Sequence, residues 1–129
     1  VSGASAVFHG GVGSYVNAVK HVVLGVSGAD LEKYGAVSEP VARQMAAGAR
    51  MLLHTDLAVS TTGVAGPDKD DRGNAVGTVY IALADAEHTW CYPCHFDGTR
   101  AQIRTAAAEF ALNLIVRYLA GEDLQEGAL

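Results

Sequence analysis

The chain has 129 residues, half of them hydrophobic, which suits a single domain over residues 1–129 with a sizeable core. Nine basic against fourteen acidic residues give a net charge of −5. That balance excludes the basic footprint of a nucleic-acid binder, and no apolar run approaches the ~20 residues that span a membrane. The N-terminal VSGASAVFHGG lacks the charged and apolar regions of a secretory signal, so a cytoplasmic location is expected. Aromatic residues make up only 7% and small ones dominate, the composition of closely packed α/β layers.

In chain order, GASAVFHGGVGSYV predicts a first strand, with Gly10 and Gly11 permitting a bulge. NAVKHVVLGV predicts a short helix capped by Asn17 and stopped at Gly25, and ADLEKYG another turn or two closed by Gly35. Ser38 as N-cap, with Glu39 and Pro40 behind it, predicts an amphipathic helix whose buried stripe runs through Val41, Met45, Ala49 and Leu52. DLAVSTT predicts a short strand buried on both faces. NAVGTVYIALAD and AEHTWCYPCHF predict a hairpin turning near Asp85 to Glu87, with Pro93 confining the second strand to an edge or a bulge. A long helix runs from about Thr99 to Leu119. Ile103, Ala107, Phe110, Leu114 and Tyr118 mark its buried face, and Gln102, Thr105 and Glu109 its wet one. The tail GEDLQEGAL is polar and predicted to fray. This order predicts an α/β or mixed three-layer sandwich with at least one antiparallel strand.

Cys91 and Cys94 have a thioredoxin-like spacing, but the strand pattern around them offers no helix N-terminus to activate a thiolate, so no redox site is expected. One cysteine pair with His88 and His95 also lacks the second pair of a zinc site. The turn TTGVAGP lies where a strand ends, the position at which α/β folds bind ligands. Gly63 and Gly66 allow several N–H groups to point one way and Thr61 and Thr62 add hydroxyls, so the turn is either a nest for phosphate or carboxylate or a plain connection. The charged DKDDR that follows reads as a solvated loop tip, with a hard-cation site as the minor reading. SYVNAVK gathers Tyr15, Asn17 and Lys20 at a helix start. The positive helix end there lowers a lysine pKa toward that of a general base; an ordinary surface lysine is the plain alternative. Arg100 stands at the start of the last helix, where a bound anion would rationalise it, as would simple surface charge. His9, beside the glycine pair, is the histidine best placed to face a site.

GASAVFHGGVGSYVNAVKHVVLGV, LEKYGAVSEPVARQMAAGAR, TTGVAGPD, VGTVYIAL and FDGTRAQIRTAAAEFAL, in this order, resemble the C-terminal domain family of the competence/damage-inducible protein CinA, from Gly3 to about Leu119. The resemblance implies a three-layer α/β/α sandwich with a mixed, mostly parallel five-stranded sheet. It implies hydrolysis of nicotinamide mononucleotide to nicotinate mononucleotide and ammonia, in pyridine-nucleotide salvage, with no metal or organic cofactor. A serine hydroxyl attacks the amide and a lysine assists as base. Lys20 matches the lysine of the family's Tyr-x-Asn-x-x-Lys block, with Tyr15 and Asn17 beside it. Thr62, Gly63, Ala65 and Gly66 match its Thr-Gly-Ile-Ala-Gly-Pro loop, with Val64 in place of Ile and Thr61 just ahead. Arg100 matches the arginine of its Phe-x-Gly-x-Arg block and is the implied phosphate partner.

The family's Glu-Ser-Cys-Thr-Gly-Gly turn, which carries the nucleophile, does not occur in this sequence. Against the family's pattern roughly 40 residues are missing ahead of VSGASAVF, an interior strand among them. The expectation is a truncated domain without hydrolase activity of its own, pairing its open sheet edges in a homo-oligomer. The other reading is a domain that binds or regulates through a nucleotide without turning it over.

Overall fold

The computed structural model describes residues 1–126. Four helices and three strands follow one another: α1 (Asn17–Val22), α2 (Gly28–Tyr34), α3 (Glu39–Leu53), β1 (Ala58–Gly63), β2 (Thr78–Ala84), β3 (Thr89–His95) and α4 (Arg100–Leu119). The strands form one sheet in the order β1-β2-β3. Alternation along β2 makes the three layers. Val79, Ile81 and Leu83 turn to α4 and join Tyr92, Ile103, Ala107 and Leu114. Ala82 and Ala84 turn to α3 and meet Ala42, Ala46 and Cys91. A third cluster, Leu24, Val26, Leu31, Val41 and Met45, seats α2 and the end of α1 on α3.

The α/β class and the helices on both sheet faces agree with expectation, whereas both strand pairings among the described residues are antiparallel, not mostly parallel. The predicted first strand is not formed. Residues 4–6 make a 3-10 turn and the chain then runs on without a ladder, held by His9 Nδ1 on the Leu53 carbonyl (2.9 Å) and by Val12 against the α2–α3 cluster. Composition favoured a strand there, but a strand needs a neighbour to pair with. β1 is covered on both faces at its start but on one at its end: Ser60 and Thr62 face α3, Val59 packs half-buried on the α4 core, and Thr61 is exposed. On α3 the buried stripe is Val41, Ala42, Met45 and Ala46, and Leu52 lies outside it. Asn17 is the first residue of α1 rather than its cap, which is Val16. Ser38 does sit at the α3 cap position, but its hydroxyl donates to the Gly35 carbonyl (2.8 Å). α4 follows its predicted faces, and Thr99 with Gln102 forms a reciprocal capping box at its start.

The tail is docked, not frayed, as far as Glu126; residues 127–129 lie outside the described residues. Leu124 is buried in the α4 core. The Glu126 carboxylate accepts from Cys91 N (3.1 Å) and from Arg43 Nη2 (2.5 Å), while Arg43 Nη1 donates to the Thr89 carbonyl (2.5 Å). In the β2–β3 register the odd residues of β3 face away from β2. The outer edge is therefore closed at Thr89 by Arg43, at Cys91 by Glu126, and at Pro93 by the lack of an N–H. The same alternation turns Val59, Thr61 and Gly63 of β1 away from β2, on the other edge of the sheet.

α3 approaches the turn after α1 so closely that a Cβ on Gly48 would sit 1.8 Å from the Leu24 carbonyl oxygen. Gly48→Ala must push helix and turn apart, at a cost of about 1–3 kcal/mol. Urea titration should show an earlier unfolding midpoint; an unchanged midpoint would contradict this packing.

Candidate functional site

Lys20 is not a surface lysine. It is 7% exposed and its Nζ donates to the Ser14 carbonyl at 2.5 Å. Burial lowers its pKa below the ordinary lysine value. The direction matches the sequence expectation, but the cause is desolvation: in the short α1, Lys20 belongs to the last turn, not the first. The irregular segment before α1 supplies the Ser14 carbonyl over it, which no local pattern announces. Tyr15 and Asn17 flank this bond, both exposed.

The turn after β1 is tied at its root by two backbone bonds, Val64 N to Thr78 O (2.9 Å) and Gly77 N to Val64 O (2.7 Å). One of its N–H groups is thereby spent on structure. Thr62 is buried and its hydroxyl donates to the Ala36 carbonyl (2.7 Å), so it stitches β1 to the entry of α3. Thr61, on the opposite face, is free toward solvent. Gly63 lies against β2, where a Cβ would meet the Thr78 carbonyl at 2.7 Å. Ala65 packs on the α4 core, and the Gly66–Pro67 peptide is cis. Arg100, the first residue of α4, sends Nη1 to the Gly66 carbonyl at 2.8 Å. The turn and Arg100, far apart in sequence, are thus brought together. Lys20 is anchored within its own segment.

Two surface depressions lie elsewhere: one of about 310 Å³ along α4 beside Gln102 and Thr105, the other of about 560 Å³ between Val22–Gly25 and α3. Neither is lined by Lys20, Arg100 or the Thr61–Gly66 turn. His9 is exposed and bound to the Leu53 carbonyl. Among the described residues no three His, Cys, Asp or Glu side chains converge on one point. The DKDDR run is ordered by Asp70, whose Oδ1 accepts from Arg72 N (3.1 Å) and Asn74 N (2.7 Å) and whose Oδ2 accepts from Asn74 Nδ2 (2.7 Å). Sequence reasoning passed over Arg72 in this run, because its partners lie on α2, about forty residues away in the chain.

A family model described as the CinA C-terminal domain matches residues 1–119. A CinA-like protein of Syntrophomonas wolfei is 48% identical over 119 residues, covering 92% of this chain and 29% of the relative. A putative competence-damage inducible protein of Thermoanaerobacter sp. (strain X514) is 44% identical over 121 residues, 94% of this chain and 29% of the relative. The chain thus spans under a third of the length of the curated relatives it matches. The crystal structure of the competence/damage inducible protein CihA from Agrobacterium tumefaciens superposes with a TM-score of 0.84 at 34% identity, over 90% of this chain and 72% of that one. A CinA superfamily protein from Escherichia coli gives 0.78 at 32% identity, over 81% and 61%.

The two cysteines are free, and they lie on opposite faces of β3, Cys91 against the alanines of α3 and Cys94 toward the α4 core. Three residues apart on a strand, they cannot pair without breaking it. Burial pushes Cys91 from 9.0 up to about 12 and Cys94 to about 11. Both therefore stay protonated in the native protein where unfolded thiols ionise. The stability this contributes is complete below pH 9 and is lost as pH rises through the folded values, toward 11 and 12. Ellman's reagent at pH 8 should label neither thiol in native protein and both after denaturation; rapid native labelling would contradict this burial.

Proposed function

The chain belongs to the CinA C-terminal domain family, and from that premise we propose that it forms the substrate-holding part of an amidohydrolase domain that converts nicotinamide mononucleotide to nicotinate mononucleotide and ammonia. The observation that carries this reading is the Arg100 guanidinium bonded to the Gly66 carbonyl, a fixed cation at the mouth of the Thr61–Gly66 turn. Arginine has five N–H donors, so four remain for a phosphate while the fifth holds the turn. Thr61 adds an exposed hydroxyl at the start of the same turn. Lys20 is the general base: burial raises its neutral fraction, and the Ser14 carbonyl fixes the nitrogen. Tyr15 and Asn17, exposed in the stretch between Ser14 and Lys20, are proposed to serve the amide end with Lys20. The attacking serine of the family's motif is not among these 129 residues, so turnover is expected of a polypeptide that carries it. The balance is simple: serine oxygen bonds to the amide carbon, ammonia leaves with the proton, and water releases the acid.

Ammonia release by the serine-bearing polypeptide tests the reading. Lys20→Ala should lower kcat about a hundredfold or more. Arg100→Ala should raise KM about tenfold with kcat nearly kept. Undiminished release in Lys20→Ala would remove that residue from the mechanism.

The same reading takes a homo-oligomer, with the outer edge of β1 receiving a strand from another copy. The absence of any charged side chain in Ala58–Gly63 supports it, since no like charges would oppose each other. Sedimentation of this chain should then show a species of at least twice 13.4 kDa; a lone 13.4 kDa species would dismiss the assembly.

A further inference from the structure

The loop from Val64 to Gly77 is unevenly held. Its root is firm: Val64 is buried, and Ala65 and Val76 pack on the α4 core. Its tip, Pro67 to Arg72, is exposed except for the half-buried Asp70, and makes its hydrogen bonds to sequence-distant residues through Arg72. The Arg72 guanidinium caps the end of α2, Nη1 on the Lys33 carbonyl (3.2 Å) and Nη2 on the carbonyls of Leu31 (3.4 Å) and Glu32. Its stem lies on Gly35, where a Cβ would stand 3.0 Å from Arg72 Cγ. A cation on the last carbonyls of a helix is favourable, yet two of these three bonds are exposed, and an exposed hydrogen bond is cheap to exchange for one to solvent. Gly66 (φ 93°) and Gly73 (φ 78°), both in the left-handed region, bound the tip on its two sides. Asp70 shapes the tip: its Oδ1 accepts from Arg72 N inside it, and its two oxygens also accept from the backbone and side-chain amides of Asn74, just past Gly73, so the tip keeps its form together with Asn74.

We propose that Pro67–Arg72 is a lid rooted beside the Thr61–Gly66 turn and latched shut by the Arg72 guanidinium on the C-terminal carbonyls of α2. The contacts place its two attachments on opposite sides of the sheet, Gly66 with Arg100 of α4 and Arg72 with α2, so it crosses the end of the sheet as a strap. What the lid admits, a pyridine mononucleotide, rests on the function proposed above; the latch rests on the contacts alone.

Lys69 lies in the tip and gives a natural probe. Trypsin digestion of the folded chain should cut after Lys69 faster than global unfolding allows. In Arg72→Gln that cut should quicken about tenfold, the loss of one to two net hydrogen bonds, with the thermal midpoint unchanged. Arg72→Lys keeps the charge without the fork and should fall between. Equal rates at Lys69 in wild type and Arg72→Gln, or a wild-type cut no faster than global unfolding, would overturn the lid. Hydrogen exchange of residues 67–74 reads the same opening without the protease: faster exchange in Arg72→Gln supports the latch, and an unchanged rate opposes it. Added nicotinamide mononucleotide should slow the Lys69 cut. A latch effect without that protection would leave the lid standing and refute the nucleotide.

Discussion

Ala42 and Ala46 of α3 meet Ala82, Ala84 and Cys91 of the sheet, all nearly without exposure. Side-chain length sets the spacing of packed layers, so methyl-on-methyl contact draws the helix close to the strands. At that separation the Ser60 hydroxyl reaches the Ala42 carbonyl (2.6 Å) and the Thr62 hydroxyl reaches the Ala36 carbonyl (2.7 Å). Those two bonds satisfy buried polar groups that would otherwise cost stability, and they fix β1 against α3. The turn that leaves β1 starts from that fixed point.

The opposite face is built from larger parts. Ile81, Leu83 and Tyr92 fill the space under α4, with Phe110 edge-on to Tyr92 (5.7 Å between centroids). Large residues hold α4 firmly, and its first residue, Arg100, is thereby delivered to Gly66. The Thr61–Gly66 turn is thus positioned from both layers: by hydroxyls on the close α3 side and by a guanidinium on the wider α4 side. Rigid placement of a few polar groups at the end of a sheet is the arrangement binding requires. The mobility proposed for the lid is confined to the exposed tip beyond it.

The edges of the sheet show a similar division. β3 has two outward groups met, Thr89 O by Arg43 and Cys91 N by Glu126, and at Pro93 there is no donor to meet. Such measures keep an edge from pairing with another chain. β1 carries none of them among the described residues: its outward positions are Val59, Thr61 and Gly63.

Local patterns were enough to place α1, α2, α3, the β2–β3 hairpin and α4, because capping residues, glycine stops and alternation act within a few residues of chain. The same patterns marked Pro93 as an edge residue and the cysteines as inert. The family was also legible, because the resemblance is carried by short contiguous blocks of the sequence. Tertiary structure alone decided the rest. It left Gly3–Val16 unpaired, made the sheet antiparallel in both pairings, buried Lys20 under Ser14, docked Leu124 and Glu126, and laid Arg72 on α2. Each of these depends on which distant segment arrives alongside, and a hydrogen bond or a buried charge has no signature in the residues next to it until that partner is in place.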